Sequence, residues 1–145
     1  MRVRLPLVTI ERLPALILPA DLLALLKEPS LAFIATTMAD GSPQLTQVWV
    51  DTDGEHVLVN SVTTHVKVRN IERDPRVALT VADPDDPSNY FQVRGRVLET
   101  TTDGAVEHIE KLSRTYLGTP YPWYGGRDQV RVMLVIAPDH VSAMR

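Results

Sequence analysis

The chain has 145 residues, no cysteine, and a formal net charge of −3 from 15 basic and 18 acidic side chains. That length suits one domain with its own core. The missing cysteines exclude disulfides, thiolate chemistry and sulfur-ligated metal sites, and the mildly acidic balance excludes a general affinity for nucleic acid.

In chain order, residues 1–18 read as an extended N-terminal arm, set to pack on a partner subunit, ahead of a domain over residues 19–145. Arg2 and Arg4 precede an apolar stretch, Leu13–Leu26, in the manner of a signal peptide. Pro14, Pro19 and Asp21 interrupt that stretch, and it falls short of the roughly 20 apolar residues that cross a bilayer. A soluble, cytoplasmic protein with no membrane partner is therefore expected. Pro19 suits the first turn of a helix, whose apolar side is Leu22, Leu23, Leu25 and Leu26 and which Lys27-Glu28-Pro29 ends. Leu31–Thr37 is a strand, Asp40-Gly41 a tight turn, and Pro43–Asp51 a second strand. A further turn at Thr52-Asp53-Gly54 leads into Glu55–Asn60, which completes an antiparallel meander.

The rest of the chain is organised around the segment Val57–Val81. It reads as a strand, a polar turn Asn60-Ser61-Val62-Thr63-Thr64, a short basic helix stopped by Asp74-Pro75, and another strand. Thr63 or Thr64 is expected to cap the helix, because a hydroxyl there accepts from a free first-turn amide. Val68 and Ile71 share a buried face, Lys67 and Asn70 lie on another, and Arg69 and Arg73 keep positive charge outside. Hydroxyls, helix-start amides and cationic side chains meet at one point, which is what a phosphate needs. The same residues also read as a solvated basic helix between two strands.

Ala82–Asn89 is a loop by composition. Tyr90–Thr100 alternates as a long half-buried strand, and Gly95 within it marks a bulge or a close approach. Asp103 is expected to cap a helix running to Leu117, with Val106, Ile109, Leu112, Ser113 and Tyr116 at helical spacing and Gly118 as its stop. A Pro/Gly/aromatic loop over Thr119–Asp128 precedes a final strand, Val130–Ala137, which His140–Ala143 extends or pairs beyond Pro138. Strands in close succession with two or three helices favour a small antiparallel barrel of the α+β kind over a parallel sheet.

No independent catalytic signature is present. His56, His65, His108 and His140 have no metal-ligand spacing, and there is no P-loop or Gly-x-Ser-x-Gly elbow. Asp83, Asp85 and Asp86 sit in a proline-rich loop, and no side chain stands out as a catalytic acid. Such a chain fits a protein whose bound cofactor does the difficult chemistry.

Two stretches carry a resemblance. His65–Val77, with Lys67, Arg69, Asn70, Ile71, Arg73, Asp74, Pro75, Arg76 and Val77 in place, resembles the K-x-R-N-L-x-R-D-P-R-V segment of the flavin/deazaflavin oxidoreductases. Upstream, Ala35-Thr36, Asp40-Gly41, Pro43, Thr46 and Val48-Trp49 resemble their A-T-x-x-x-D-G-x-P-x-x-T-P-V-W. These are split-barrel proteins related to pyridoxamine 5′-phosphate oxidase. The likeness spans roughly residues 19–141 and is closest to the branch that uses the deazaflavin coenzyme F-420.

The resemblance implies a six- to seven-stranded antiparallel split β-barrel, the FMN-binding split barrel, forming a homodimer with the cofactor in an interface groove. It implies that Lys67 binds the cofactor phosphate, helped by Ser61, Thr63 or Thr64, with Asn60 in the same turn. Arg69 and Asn70 match the motif but equally serve to hold the helix. His65 stands where relatives often carry an arginine, so the anion grip would depend on its protonation. The backbone from Gln47 through Val48 and Trp49 to Val50 is suited to hydrogen-bond the edge of the ring system, and Trp49 offers an aromatic face or a core contact. Gln47 replaces a common proline.

Tyr121, Trp123 and Tyr124 either wall a substrate pocket for a flat, conjugated molecule or pin their loop to the barrel. Arg127 and Arg131 either attract the acidic tail of coenzyme F-420 or are solvated. The expectation is thus a coenzyme F-420-dependent oxidoreductase that passes hydride to an activated C=C or quinone-like small molecule. The alternatives are an FMN-binding oxidoreductase and a non-catalytic deazaflavin carrier. A true pyridoxamine phosphate oxidase fits less well, since that enzyme's C-terminal Arg/His substrate motif is missing. A haem-binding barrel would need one of four scattered histidines as ligand.

Overall fold

The computed structural model describes residues 16–144. Of the expected N-terminal arm, residues 1–15 lie outside the described residues. The elements are α1 (Ala20–Leu26), β1 (Leu31–Thr37), β2 (Pro43–Val48), β3 (Val50–Thr52), β4 (Val57–Val62), α2 (Val66–Arg73), β5 (Arg76–Asp83), β6 (Asp86–Thr101), α3 (Ala105–Leu117) and β7 (Arg131–Met144). All strand pairings are antiparallel, in the order β2-β1-β5-β6-β7-β4-β3.

That order contains the reason for the barrel. The two edge strands, β2 and β3, are consecutive in the chain and separated by Trp49 alone. A sheet whose opposite edges are joined by one residue must curl until those edges meet. Val48 still pairs with Ala32 of β1, while Val50 already pairs with Val59 of β4. The strand expected over Pro43–Asp51 is therefore two strands, broken where the chain changes partner. Closure at this point also protects backbone groups that a flat sheet would leave on two open edges.

Alternation along the strands fills the interior. Ala32 and Ile34, Val57 and Val59, Val77, Leu79 and Val81, Phe91 and Val93, and Val132, Leu134 and Ile136 form one core cluster. Leu22, Leu25 and Leu26 of α1 and Val68 and Ile71 of α2 join it. Helix α3 packs instead on the outer face of β4 and β7, so β4 is covered on both sides and nearly all of its residues are buried. This coverage gives Asn60 an environment unlike that of an exposed strand residue.

Several local expectations need correction. Helix α2 is capped by the His65 backbone with no side-chain cap bond, and the hydroxyls of Thr63 and Thr64 play no part in it. The Thr63 amide donates to the Val130 carbonyl at 3.0 Å, which ties the turn to the strand that follows the aromatic loop. Asn70, set by its spacing on a different face from Val68 and Ile71, is itself buried, at 3% exposed. Residues 82–89 are not a loop but a hairpin end, with β5 reaching Asp83 and β6 starting at Asp86. The Asp83 carboxylate accepts from the Asp85 amide at 2.9 Å and holds that turn, a local bond that short polar residues favour. Helix α3 starts after Gly104, which has φ 73°, and Asp103 does not cap it. Val106 is exposed, and Ala105 and His108 take the buried face with Ile109 and Leu112.

Gly95 does sit at a bulge, since the β6–β7 register shifts between Arg94 and Gly95. A Cβ there would lie 2.1 Å from the Ala137 carbonyl oxygen, so only glycine fits. Beyond the bulge, β7 continues through Pro138 to Met144 as one strand.

Candidate functional site

A cleft of about 580 Å³ opens where the sheet edges meet. Its floor comes from Gln47, Val48 and Trp49, its basic end from Ser61, His65, Lys67 and Arg131, and its other walls from α3 and the loop between α3 and β7. The volume falls within the range of small-molecule sites.

The cleft's shape follows from Trp49. Val48 and Val50 on either side point into the core, so the indole turns the other way and stacks on Tyr116 of α3, with centroids 5.1 Å apart and planes at 15°. Tyr116 accepts a hydrogen bond from the Val50 amide at 3.1 Å, and burial pushes its phenol pKa up. Tyr121 meets the Trp49 ring edge-on at 6.4 Å. An aromatic corner thus forms from the β2–β3 junction, α3 and the loop, in the edge-to-face and stacked geometries that ring quadrupoles favour.

Arg131 is the first residue of β7 and only 7% exposed. It lies opposite Val62 in the β4–β7 pairing, on the face that carries Asn60. Its Nε donates to Asn60 Oδ1 at 2.9 Å and its Nη1 to the Tyr121 hydroxyl at 3.3 Å. The guanidinium also lies over the Tyr121 ring, 5.2 Å from its centroid. The reading of Arg131 as a solvated surface residue is therefore corrected.

His65 approaches Ser61 Oγ through Nδ1 at 3.0 Å. Burial, then the Lys67 ammonium and the Arg131 guanidinium, hold the His65 pKa below its ordinary value. Burial and Arg131 likewise lower that of Lys67, and burial lowers that of Arg131 against an opposing effect of Tyr121. Among the described residues, no aspartate or glutamate lines the cleft, and neither Lys67 nor Arg131 forms an ion pair. Three basic groups that disfavour one another's charge, with no acid between them, fit an anion better than an empty cleft.

The residues singled out from the sequence fall into two groups. Gln47, Val48, Trp49, Asn60, Ser61, His65, Lys67, Tyr121 and Tyr124 line the cleft. Thr63, Thr64, Arg69, Val50 and Trp123 do not. Val50 is in the core with its amide committed to Tyr116, and Arg69 is exposed on the outer side of α2. Trp123 stands behind Tyr121, edge-on at 5.4 Å and beneath Arg127 at 4.9 Å. Its φ of 52° and its buried Nε1–H without an acceptor are costs that the aromatic packing must outweigh.

Sequence reasoning did not find Ile109, Leu112, Gly125 and Gln129 as lining residues. The 3.6-residue period placed Ile109 and Leu112 on a buried face, but which strand they covered depends on the sheet order. Arg131 is singled out by sequence only as a cation for an acidic tail or for solvent, and its place beside His65 and Lys67 comes from the fold.

Seven antiparallel strands curled until their edges meet, with a basic and aromatic cleft at the join, define a split β-barrel. The chain matches the pyridoxamine 5′-phosphate oxidase family over residues 18–145 and belongs to it; the fold is that of an oxidoreductase family. Among solved structures, it is similar to an F-420 reductase at 34% identity, covering 86% of this chain and 98% of that one, with a TM-score of 0.75. A conserved hypothetical protein of Mycobacterium tuberculosis shares the fold at 22% identity, with 92% and 88% coverage and a TM-score of 0.67. General stress protein 26 of Bacillus anthracis does so at 17% identity, with 83% and 88% coverage and a TM-score of 0.62. No described helix is long and apolar enough to cross a membrane.

Proposed function

We propose that this protein is a coenzyme F-420-dependent reductase acting on small molecules. The observation that carries the reading is the unneutralised trio His65, Lys67 and Arg131 at one end of a cleft whose other side is aromatic. A ligand with a phosphate at one end and a flat ring system at the other matches that division of charge and surface. The likeness to an F-420 reductase over nearly that chain's whole length supports the deazaflavin in preference to FMN.

In this reading Lys67 and Arg131 hold the cofactor phosphate, with Ser61 and His65 as nearby hydrogen-bonding groups. The strand from Gln47 to Trp49 lies along the ring system. When bound, reduced coenzyme F-420 supplies hydride to an activated C=C or quinone-like acceptor. Tyr121 and Tyr124 border the space above, and the exposed Tyr124 is free to meet a conjugated substrate. The protein is a homodimer in the cytoplasm, and the exposed apolar side chains Leu45, Val66 and Val130 support a partner subunit closing over the open cleft.

Parallel titrations with oxidised coenzyme F-420 and FMN test the reading. Saturable binding of the deazaflavin with much weaker FMN binding is expected. A preference for FMN would move the function to flavin chemistry, and binding of neither would remove the anion assignment. A protein that binds reduced coenzyme F-420 tightly, yet is reoxidised by no acceptor, would be a carrier.

A further inference from the structure

A chain of polar groups, with Arg131, His108 and Asp51 buried and Asn60 half-buried, runs from the cleft to Lys111 of α3. Arg131 Nε has only a proton to offer, so Asn60 must present Oδ1 to it. The Asn60 Nδ2 then faces the Ala105 carbonyl at 2.8 Å and His108 Nδ1 at 3.1 Å. Both contacts are satisfied only if His108 Nδ1 is an acceptor, which puts the imidazole proton on Nε2. That nitrogen lies 3.2 Å from Asp51 Oδ2, an oxygen that also accepts from Lys111 Nζ at 2.9 Å. Burial pushes the Asp51 carboxyl pKa up, but the bonds from His108 and Lys111 outweigh it and leave it below the usual value.

Every alternative arrangement sets like against like. Turning the Asn60 amide over would oppose its NH₂ to the Arg131 N–H and its oxygen to the Ala105 carbonyl. Moving the His108 proton to Nδ1 would oppose it to the Asn60 NH₂ and leave a lone pair facing the Asp51 carboxylate. His108 and Asp51 are 8% and 5% exposed, so water cannot readily repair either mismatch.

We propose that His108 and Asp51 are positioning residues that fix the Asn60 amide and thereby aim Arg131 into the cleft. Asp51 selects the His108 tautomer, the tautomer selects the amide orientation, and the amide holds the guanidinium. The chain carries orientation and not protons, because an amide interrupts it. Its functional consequence rests on the proposed anion site in the cleft.

The test combines a ligand-free readout with a binding readout. In ¹⁵N-labelled wild type, the His108 imidazole should show protonated Nε2 and bare Nδ1, and the Arg131 Nε–H should exchange slowly with solvent. His108→Phe removes the acceptor and should speed that exchange at least tenfold. His108→Asn keeps an oxygen near the place of Nδ1 and should restore most of the protection. In titrations with coenzyme F-420 and FMN, His108→Phe should weaken the preferred ligand about tenfold in the wild-type background and not at all in Arg131→Ala.

A protonated Nδ1 in the wild type would overturn the proposal even if His108→Phe does not fold. So would unchanged Arg131 protection in His108→Phe, or an equal loss of affinity in both backgrounds. If wild type binds neither ligand, the anion reading falls and the functional role of the chain falls with it, whereas the exchange data still decide the positioning.

Discussion

Two asparagines in this molecule do the same chemistry to different ends. Asn60 on β4 and Asn70 on α2 each accept a hydrogen bond from an arginine at 2.9 Å, from Arg131 and Arg73 respectively. Each spends its amide protons inside the fold, Asn60 on α3 and Asn70 on Thr36 Oγ1 at 3.0 Å and Met38 Sδ at 3.3 Å. The difference lies in what the arginine does next. Arg73 also donates to the Thr37 carbonyl at 3.0 Å, so that pair fastens α2 to β1. Arg131 reaches a tyrosine hydroxyl in the cleft and has no carboxylate partner among the described residues. One arginine is a brace, and the other is a cation held where a ligand can reach it.

The largest effect should come from Asn60→Leu. It leaves the buried Arg131 Nε–H, the Ala105 carbonyl and His108 Nδ1 without their partner, and unpaired buried groups cost about 1–3 kcal/mol each. A loss of about 3 kcal/mol in urea unfolding is expected, together with weaker coenzyme F-420 binding. Asn70→Leu should cost less, about 2 kcal/mol, because Thr36 keeps its bond to Gln44 and the exposed Arg73 has water. Binding by its folded fraction should be unchanged. If Asn70→Leu weakened the cofactor as much as Asn60→Leu, the division between brace and site would be wrong.

This pair also shows what was legible in the sequence. The matched motif pointed to Asn70 and Arg73 as strongly as to Lys67, because local spacing shows which residues share a helix but not what the helix packs against. Asn60 stood in a polar turn by sequence, and only the order β7-β4-β3 puts it beside Arg131. Strand positions were readable where alternation was strong, as in Leu31–Thr37, and turns where glycine with positive φ ends an element, as at Gly118. The helix caps were misread because side chains that can cap, Thr63 and Thr64 for one helix and Asp103 for the other, stood close to a start, while His65 and Gly104 occupy the cap positions with no side-chain cap bond. The break at Trp49 was invisible, since Val48, Trp49 and Val50 all suit a strand and the break comes from barrel closure alone.

Lys67 sharpens the comparison from the ligand's side. It is half-buried with no ion pair among the described residues, so Lys67→Ala removes a cation that nothing in the free protein uses. Coenzyme F-420 affinity should fall by the ~1.5–3 kcal/mol typical of a charge-assisted bond, while unfolding free energy should change by less than about 0.5 kcal/mol. That pattern is the reverse of the one expected for Asn70→Leu. Unchanged affinity in Lys67→Ala would remove the phosphate from this end of the cleft.

The smallest effect is a pH dependence seated at His65. Among the described residues, the groups around it are the cations Lys67 and Arg131 and the Ser61 hydroxyl, and no carboxylate lines the cleft. In the free protein its pKa lies below the ordinary 6.5, so the unfolded chain takes up a proton first as the solution is acidified. The stability contributed by this group is therefore fully present above pH 6.5 and is lost as pH falls from there through the folded value. A bound phosphate reverses the sign for binding: it favours imidazolium, so affinity rises as pH falls from the bound-state pKa of His65 towards the lower value of the free protein. Measured between about pH 5 and pH 8, wild type should bind coenzyme F-420 more tightly at the acid end by less than about tenfold, the equivalent of one pKa unit. His65→Gln keeps a polar side chain that does not titrate, and subtracting its profile removes the ligand's own ionisation. Parallel profiles for the two proteins would show that the phosphate does not reach His65, which would leave Lys67 and Arg131 to hold it alone.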